Sequence, residues 1–158
     1  MSAAAMKLMS RSMACAIALL SMVPPPAHAC DAPGARRAIE ARLAELEGYW
    51  NGNKPAELVD ALYDKDVVIL GEQLPKPAVG RDQAKPLVGE LIEAFPSAEI
   101  TLERIASESS DQMGTWVLWT LAGKEAGQAP TKVRSLFIWS KVGEDWLIRA
   151  DMYSFGGY

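Results

Sequence analysis

A chain of 158 residues, 49% hydrophobic and 23% charged, has the size and balance of one soluble globular domain. Its net charge of −4, with no basic cluster longer than Arg36-Arg37, argues against nucleic acid or anionic lipid as a partner. The single histidine and two cysteines leave little room for metal or thiol chemistry, and less still once the first segment is taken into account.

Residues 1–29 read as a secretory signal. Lys7 and Arg11 make a basic start, Met13 to Val23 is an apolar run, and Pro24 to Pro26 break it. Ala27-His28-Ala29 then supplies the small-x-small pattern of a cleavage site. The apolar run is too short for a membrane span. Translation can start at Met1 or at Met6, whose MKLMSR is the more compact basic start. Cleavage after Ala29 predicts a secreted or periplasmic protein beginning at Cys30. Lipidation of Cys30 is the alternative, the one route to membrane attachment, although Ala27 stands where that processing normally wants a leucine-like residue. Losing Lys7 and Arg11 takes the net charge from −4 to −6. His28 and Cys15 leave too, so residues 30–158 contain no histidine and one cysteine. An internal disulfide, a metal or haem site built on His or paired Cys, and Ser-His-Asp or Cys-His catalysis are thereby excluded. No cofactor is expected.

Residues 30–158 form a single domain, with its core at about 36–155. Asp31 is placed to cap a helix through about Trp50, and Ile39, Leu43, Leu46 and Trp50 make one apolar stripe along it. Asn51-Gly52-Asn53 ends that helix, and Asn53 is read as the cap of a second, with Leu58, Leu62 and Tyr63 inward. Asp64 to Asp66 turns the chain into a strand at Val67–Leu70, and Ala78 to Gly80 is read as a short return strand. Asp82 is taken to cap a third helix through Phe95, with Pro86 in its first turn and Leu87, Val88, Leu91, Ile92 and Phe95 buried. From Glu99 onward all segments alternate as strands: Ile100 to Glu108, Met113 to Gly123, and a long hairpin from Thr131 to Phe155. The fold class is α+β: three N-terminal helices packed on a mostly antiparallel sheet. Several strands are apolar on both faces, which calls for two covers and predicts a homodimer through the sheet.

The order of these elements and several residues resemble the SnoaL-like branch of the nuclear transport factor 2-like superfamily, a strongly curved, cone-shaped α+β fold also called cystatin-like. Trp50-Asn51-Gly52-Asn53, Leu62-Tyr63 with Asp66-Val67, and Gly80-Arg81 are similar to its helix and strand junctions. Trp146-Leu-Ile-Arg-Ala-Asp-Met-Tyr-Ser154 resembles its closing strand, W-x-I-x-x-D-x-x-S. The resemblance covers residues 36–155. It implies a cone lined by Trp116, Leu118 and Thr120, by Ser135, Phe137 and Trp139, and by Ile148, Ala150 and Met152, with Tyr63 and Tyr49 able to offer hydroxyls.

Each of those strand sets shares one face by period-two alternation. They are compatible with an apolar pocket oriented by Thr120 and Ser135, and equally with a filled core. Asp151, Arg149 and Arg134 fall on the opposite face in this register, as a surface charge pair or an acid site. Glu72 stands at the cone's mouth, a general base if buried and a solvated loop residue otherwise. Where relatives often carry an inward histidine, this chain has Met152. Where the steroid isomerases carry a tyrosine and two acids, it has Glu45, Gly71 and Ser135. The leading expectation is therefore binding of a small, largely apolar molecule without catalysis. A cyclase, dehydratase or isomerase working with carboxyl and hydroxyl groups is the first alternative, and a dimeric interaction module the second.

Overall fold

The computed structural model describes residues 33–125 and 127–156. The signal segment, Cys30 and the Asp31 cap lie outside the described residues. Helix α1 spans Pro33–Asn51, α2 Pro55–Leu62 and α3 Arg81–Ala94. The strands are β1 Tyr63–Gly71, β2 Ala78–Val79, β3 Ser97–Glu108, β4 Gln112–Ala122, β5 Thr131–Val142 and β6 Asp145–Phe155. All six form one sheet in the order β2-β1-β6-β5-β4-β3. β1 runs parallel to β6, and every other pairing is antiparallel.

The stripe along α1 packs as its spacing requires: Ile39, Leu43, Leu46 and Trp50 are all buried. Burial of each of the three aliphatic side chains contributes about 1.5–3 kcal/mol relative to leaving it in water. The end of α1 also covers the sheet's outermost long strand. Asn51 accepts from the Ala98 N–H at 2.8 Å and donates to the Ala98 carbonyl at 2.9 Å, while Glu47 accepts from the Ile100 N–H at 2.8 Å. Two side chains thus stand in for the neighbour that the β3 edge lacks.

The helix starts differ from expectation. Asn53 takes a left-handed conformation (φ 53°), which ends α1 and leaves Lys54 as the first-turn boundary of α2, with Pro55 just inside it. Gly80 (φ 76°) begins α3, so Asp82 lies in the first turn and does not cap. Pro86 therefore sits past the first turn and removes one intrahelical hydrogen bond. β1 starts at Tyr63 and takes in Asp64 to Asp66, with a break in register between Tyr63 and Val68.

The register of the last two strands decides what faces the core. Phe137 pairs with Asp151 and Ile138 with Ala150, but Trp139 pairs with Ile148. Arg149 is therefore an extra residue, a β-bulge. Before it the inward residues of β6 are Trp146 and Ile148; after it they are Asp151 and Tyr153. On β4 the inward set is Met113, Thr115, Val117, Trp119 and Leu121. On β5 it is Val133, Ser135, Phe137 and Trp139. Trp116, Leu118, Thr120 and Ala150 are half-buried on the outer face, and Met152 is 53% exposed there. They do not line the interior, and Met152 is not aimed into it.

Candidate functional site

The inner sheet face, α1 and α3 enclose a cavity. Trp119 and Leu121 from β4, Val133 and Ser135 from β5, and Asp151, Tyr153 and Phe155 from β6 make its floor and one wall. Tyr63 and Ile69 enter from β1, Leu87, Val88 and Leu91 from α3, and Trp50 from α1. Including its open mouth the space measures about 480 Å³, of which about 40 Å³ admits the centre of a water molecule. One water needs roughly 10–15 Å³ by that measure, so the cavity is narrow, with room for a few waters.

Its walls are apolar except at one place. Asp151 is 6% exposed, Tyr63 3% and Ser135 2%. The Tyr63 hydroxyl donates to Asp151 Oδ2 at 3.2 Å, and the Ser135 hydroxyl also bonds to the carboxylate. Trp119 Nε1 donates to Ser135 Oγ at 3.2 Å, fixing that hydroxyl's orientation. Asp151 Oδ1, equally buried, has no hydrogen-bond partner among the described residues. Burial pushes the Asp151 carboxyl up to about 7, while the bonds from Tyr63 and Ser135 pull against that rise. The same burial, with the nearby Asp151 charge, raises Tyr63 well above the ordinary phenol range and raises Tyr153. Both phenols remain protonated donors at neutral pH.

Local structure holds each member. Arg81, opening α3, donates through Nε and Nη2 to the Tyr63 carbonyl at 2.8 and 2.6 Å, which fixes the start of β1. The Tyr153 ring lies on Gly71: a Cβ added there would come within 2.1 Å of the ring's Cζ. Tyr153 meets Phe155 edge to face at 5.9 Å, and Trp119 meets Trp50 at 5.1 Å.

Of the residues read as pocket lining, Tyr63 and Ser135 reach this cavity. Phe137, Trp139 and Ile148 point inward but are completely buried in packed core, away from its lining. Trp139 Nε1 is satisfied by Thr115 Oγ1 at 2.9 Å. Tyr49 is half-buried against the core and does not line the cavity. Thr120 accepts from Lys132 Nζ at 2.6 Å on the outer face. Asp151, expected on the outer face, is the cavity's carboxyl; Arg149 instead approaches Asp64 at 4.0 Å, and Arg134 pairs with Glu103 at 2.9 Å. Glu72 is exposed and accepts from Ser154 Oγ at 2.5 Å and the Phe155 N–H at 3.0 Å, bonds that hold its carboxyl below the ordinary range. It is therefore the solvated loop residue of the two readings, without the burial that a general base needs. Glu45 bonds Arg42 at 2.6 Å. Among the described residues no three of His, Cys, Asp and Glu converge to hold a metal ion.

The residues that alternation missed are Asp151, Trp119 and Tyr153. Both faces of β4 and β6 are rich in apolar side chains, so period alone could not say which was inside. The one available signal was an acid set within Ile148–Tyr153, beyond a residue that breaks the pleat.

No protein-family model and no curated protein matches the chain. Solved structures do. A ketosteroid isomerase-like protein from Erwinia carotovora atroseptica matches with a TM-score of 0.63 and 20% identity, over 77% of this chain and 96% of that one. A candidate scytalone dehydratase from Novosphingobium aromaticivorans matches with 0.64 and 19%, over 79% and 86%. A domain of unknown function with a cystatin-like fold from Nostoc punctiforme matches with 0.66 and 11%, over 79% of each. Three helices on a six-stranded mixed sheet among the described residues, and these neighbours, identify a cystatin-like α+β fold.

Proposed function

We propose that the protein binds a small, largely apolar molecule in this cavity and exchanges a proton with it through Asp151. One observation carries the reading: a buried carboxyl lines an apolar cavity with one oxygen unpartnered and titrates near neutrality. A general acid or base works best with a pKa near the operating pH. Tyr63 and Ser135 are the adjacent hydroxyl donors, and both favour the ionised carboxylate. The reaction class is proton transfer at carbon, of the isomerase, dehydratase or cyclase kind. Neighbours with the same fold bear ketosteroid isomerase-like and candidate dehydratase names, which fits this reading. Met152 no longer argues against catalysis, because its side chain is outside the cavity.

Hydrogen–deuterium exchange at the α-carbon of cyclic ketones in D2O, followed by proton NMR, tests the chemistry. The protein should accelerate exchange, with Asp151→Asn reducing the acceleration by about 10²–10⁴. Equal rates with and without protein would leave the second reading, binding without chemistry. Native mass spectrometry of protein isolated from its own compartment would report a retained molecule in either case.

The compartment and the assembly belong to the same proposal. The basic, apolar, small-residue order of residues 1–29 supports export with cleavage after Ala29, which N-terminal sequencing of the mature protein tests. Half-buried Trp116, Leu118, Leu136 and Ile138 on the outer sheet face support a homodimer; a monomer by light scattering at micromolar concentration would sink it. The closing-strand pattern Trp146 to Ser154 supports the SnoaL-like branch.

A further inference from the structure

Asp151 raises a question of charge balance that proton transfer leaves open. Buried carboxylates in proteins are ordinarily paired with a cation or bound to a metal, because an isolated one is costly to desolvate. Here the fold supplies two hydroxyl donors, Tyr63 and Ser135, that favour the anion. Among the described residues it supplies no counter-charge: the cavity lining contains no lysine, arginine or histidine. Arg149, two residues away in sequence, lies on the other side of the sheet beside Asp64. Arg81 is committed to the Tyr63 carbonyl. Meanwhile the remaining walls are rich in aromatic rings, whose faces attract cations. A carboxylate with an open oxygen, set among tryptophan and tyrosine rings and lacking any positive neighbour, is complementary to an ammonium group.

We infer that the ligand class of this cavity is an apolar amine, its protonated nitrogen seated on Asp151 and its carbon skeleton against Trp119 and Tyr153. This deepens the proposed function and rests on its reading of the cavity as the ligand site. An anionic ligand is disfavoured by the same charge balance. A neutral hydrogen-bond acceptor would need the opposite protonation state of Asp151, and that difference separates the two ligands experimentally. The titratable groups facing Asp151 are Tyr63 from β1 and Tyr153 from its own strand. The cavity residues of β4 and β5 and of α1 and α3 add none.

The experiment is calorimetric titration of the full mature protein with cyclohexylamine, cyclohexanol and cyclohexanecarboxylate at pH 8 and pH 6. Cyclohexylamine should bind at least about tenfold more tightly than cyclohexanol at pH 8, with cyclohexanecarboxylate weakest. Its affinity should fall roughly tenfold at pH 6, where the fraction of Asp151 ionised in the free protein drops from about nine-tenths to about one-tenth. The amine itself stays protonated throughout. Asp151→Asn should erase the preference for amine over alcohol, and the pH series on the native chain serves if that variant fails to fold. Cyclohexanol binding as tightly as cyclohexylamine at pH 8, or an amine preference surviving in Asp151→Asn, overturns this inference and leaves the cavity as a ligand site. Absence of binding by all three overturns both.

Discussion

Tyr63 and Asp151, 88 positions apart, meet through a phenol-to-carboxylate hydrogen bond of 3.2 Å inside an apolar cavity. Tyr63 is the first residue of β1, Asp151 lies beyond the bulge of β6, and the parallel pairing of the two strands brings them together. The bond lowers the carboxyl's pKa against the larger upward push of burial. Removing the phenol therefore has a defined sign. Tyr63→Phe should raise the Asp151 pKa above its value of about 7 and cost about 1–3 kcal/mol at pH 8, where the carboxylate accepts a charge-assisted bond. Carboxyl carbon NMR titration reads the shift; an unchanged or lower pKa would contradict it.

Asp151 also sets a pH dependence of stability. Its folded pKa lies above its unfolded value, 3.8, so between about pH 4 and pH 7 the unfolded chain gives up a proton that the fold retains. Stability from this residue is complete below the unfolded pKa and is lost as pH rises through about 7. The displacement corresponds to at most about 4 kcal/mol. Asp151→Asn should remove that decline and be more stable than the native protein at pH 8. Urea denaturation of both across pH 4.5 to 8.5 gives the difference curve, and parallel curves would refute the assignment.

Gly71 is needed because the Tyr153 ring occupies the place of its missing Cβ. Gly71→Ala must push that ring aside, at a cost of about 1–3 kcal/mol. Because the displaced atoms belong to the far end of one side chain, the effect should be strongly non-additive with Tyr153→Ala. A double-mutant cycle with simply additive losses would mean the backbone, not the ring, takes the strain.

The β3 edge supplies a separate test. Asn51→Ala leaves both polar groups of Ala98 without their partners, and should cost about 1–3 kcal/mol. Amide exchange at Ala98 should quicken well before exchange in β5. Unaltered exchange at Ala98 would show that the edge is protected by something other than Asn51.

Much of this architecture was legible in the chain. The α1 stripe, the three helices, the closing hairpin and its strand lengths follow from spacing and turn residues, and Ile39, Leu43, Leu46 and Trp50 pack as their period demands. The cavity was far less legible. β4 is apolar on both faces, so Trp116 and Trp119 competed for the interior on equal terms, and only pairing with β5 decides for Trp119. On β6 an unbroken period of two runs straight through Arg149. It places Ile148 inward and then reverses every later residue, putting Ala150 and Met152 inside and Asp151 outside. Helix starts differ for a simpler reason: Asn53, expected as a side-chain cap, takes left-handed backbone, and positive-φ Gly80 opens α3 before the expected cap Asp82.

The bulge at Arg149 works as a frameshift in the pleat. Everything before it is read in one phase and everything after it in the other, so one residue decides whether the cavity receives a carboxyl and a phenol or an alanine and a thioether. A regular pleat running through Arg149, with no bulge to absorb it, would turn Met152 inward and Asp151 outward without changing any side chain. A bulge gained or lost in one strand therefore exchanges the chemistry of an interior far more abruptly than substitution of the residues that line it.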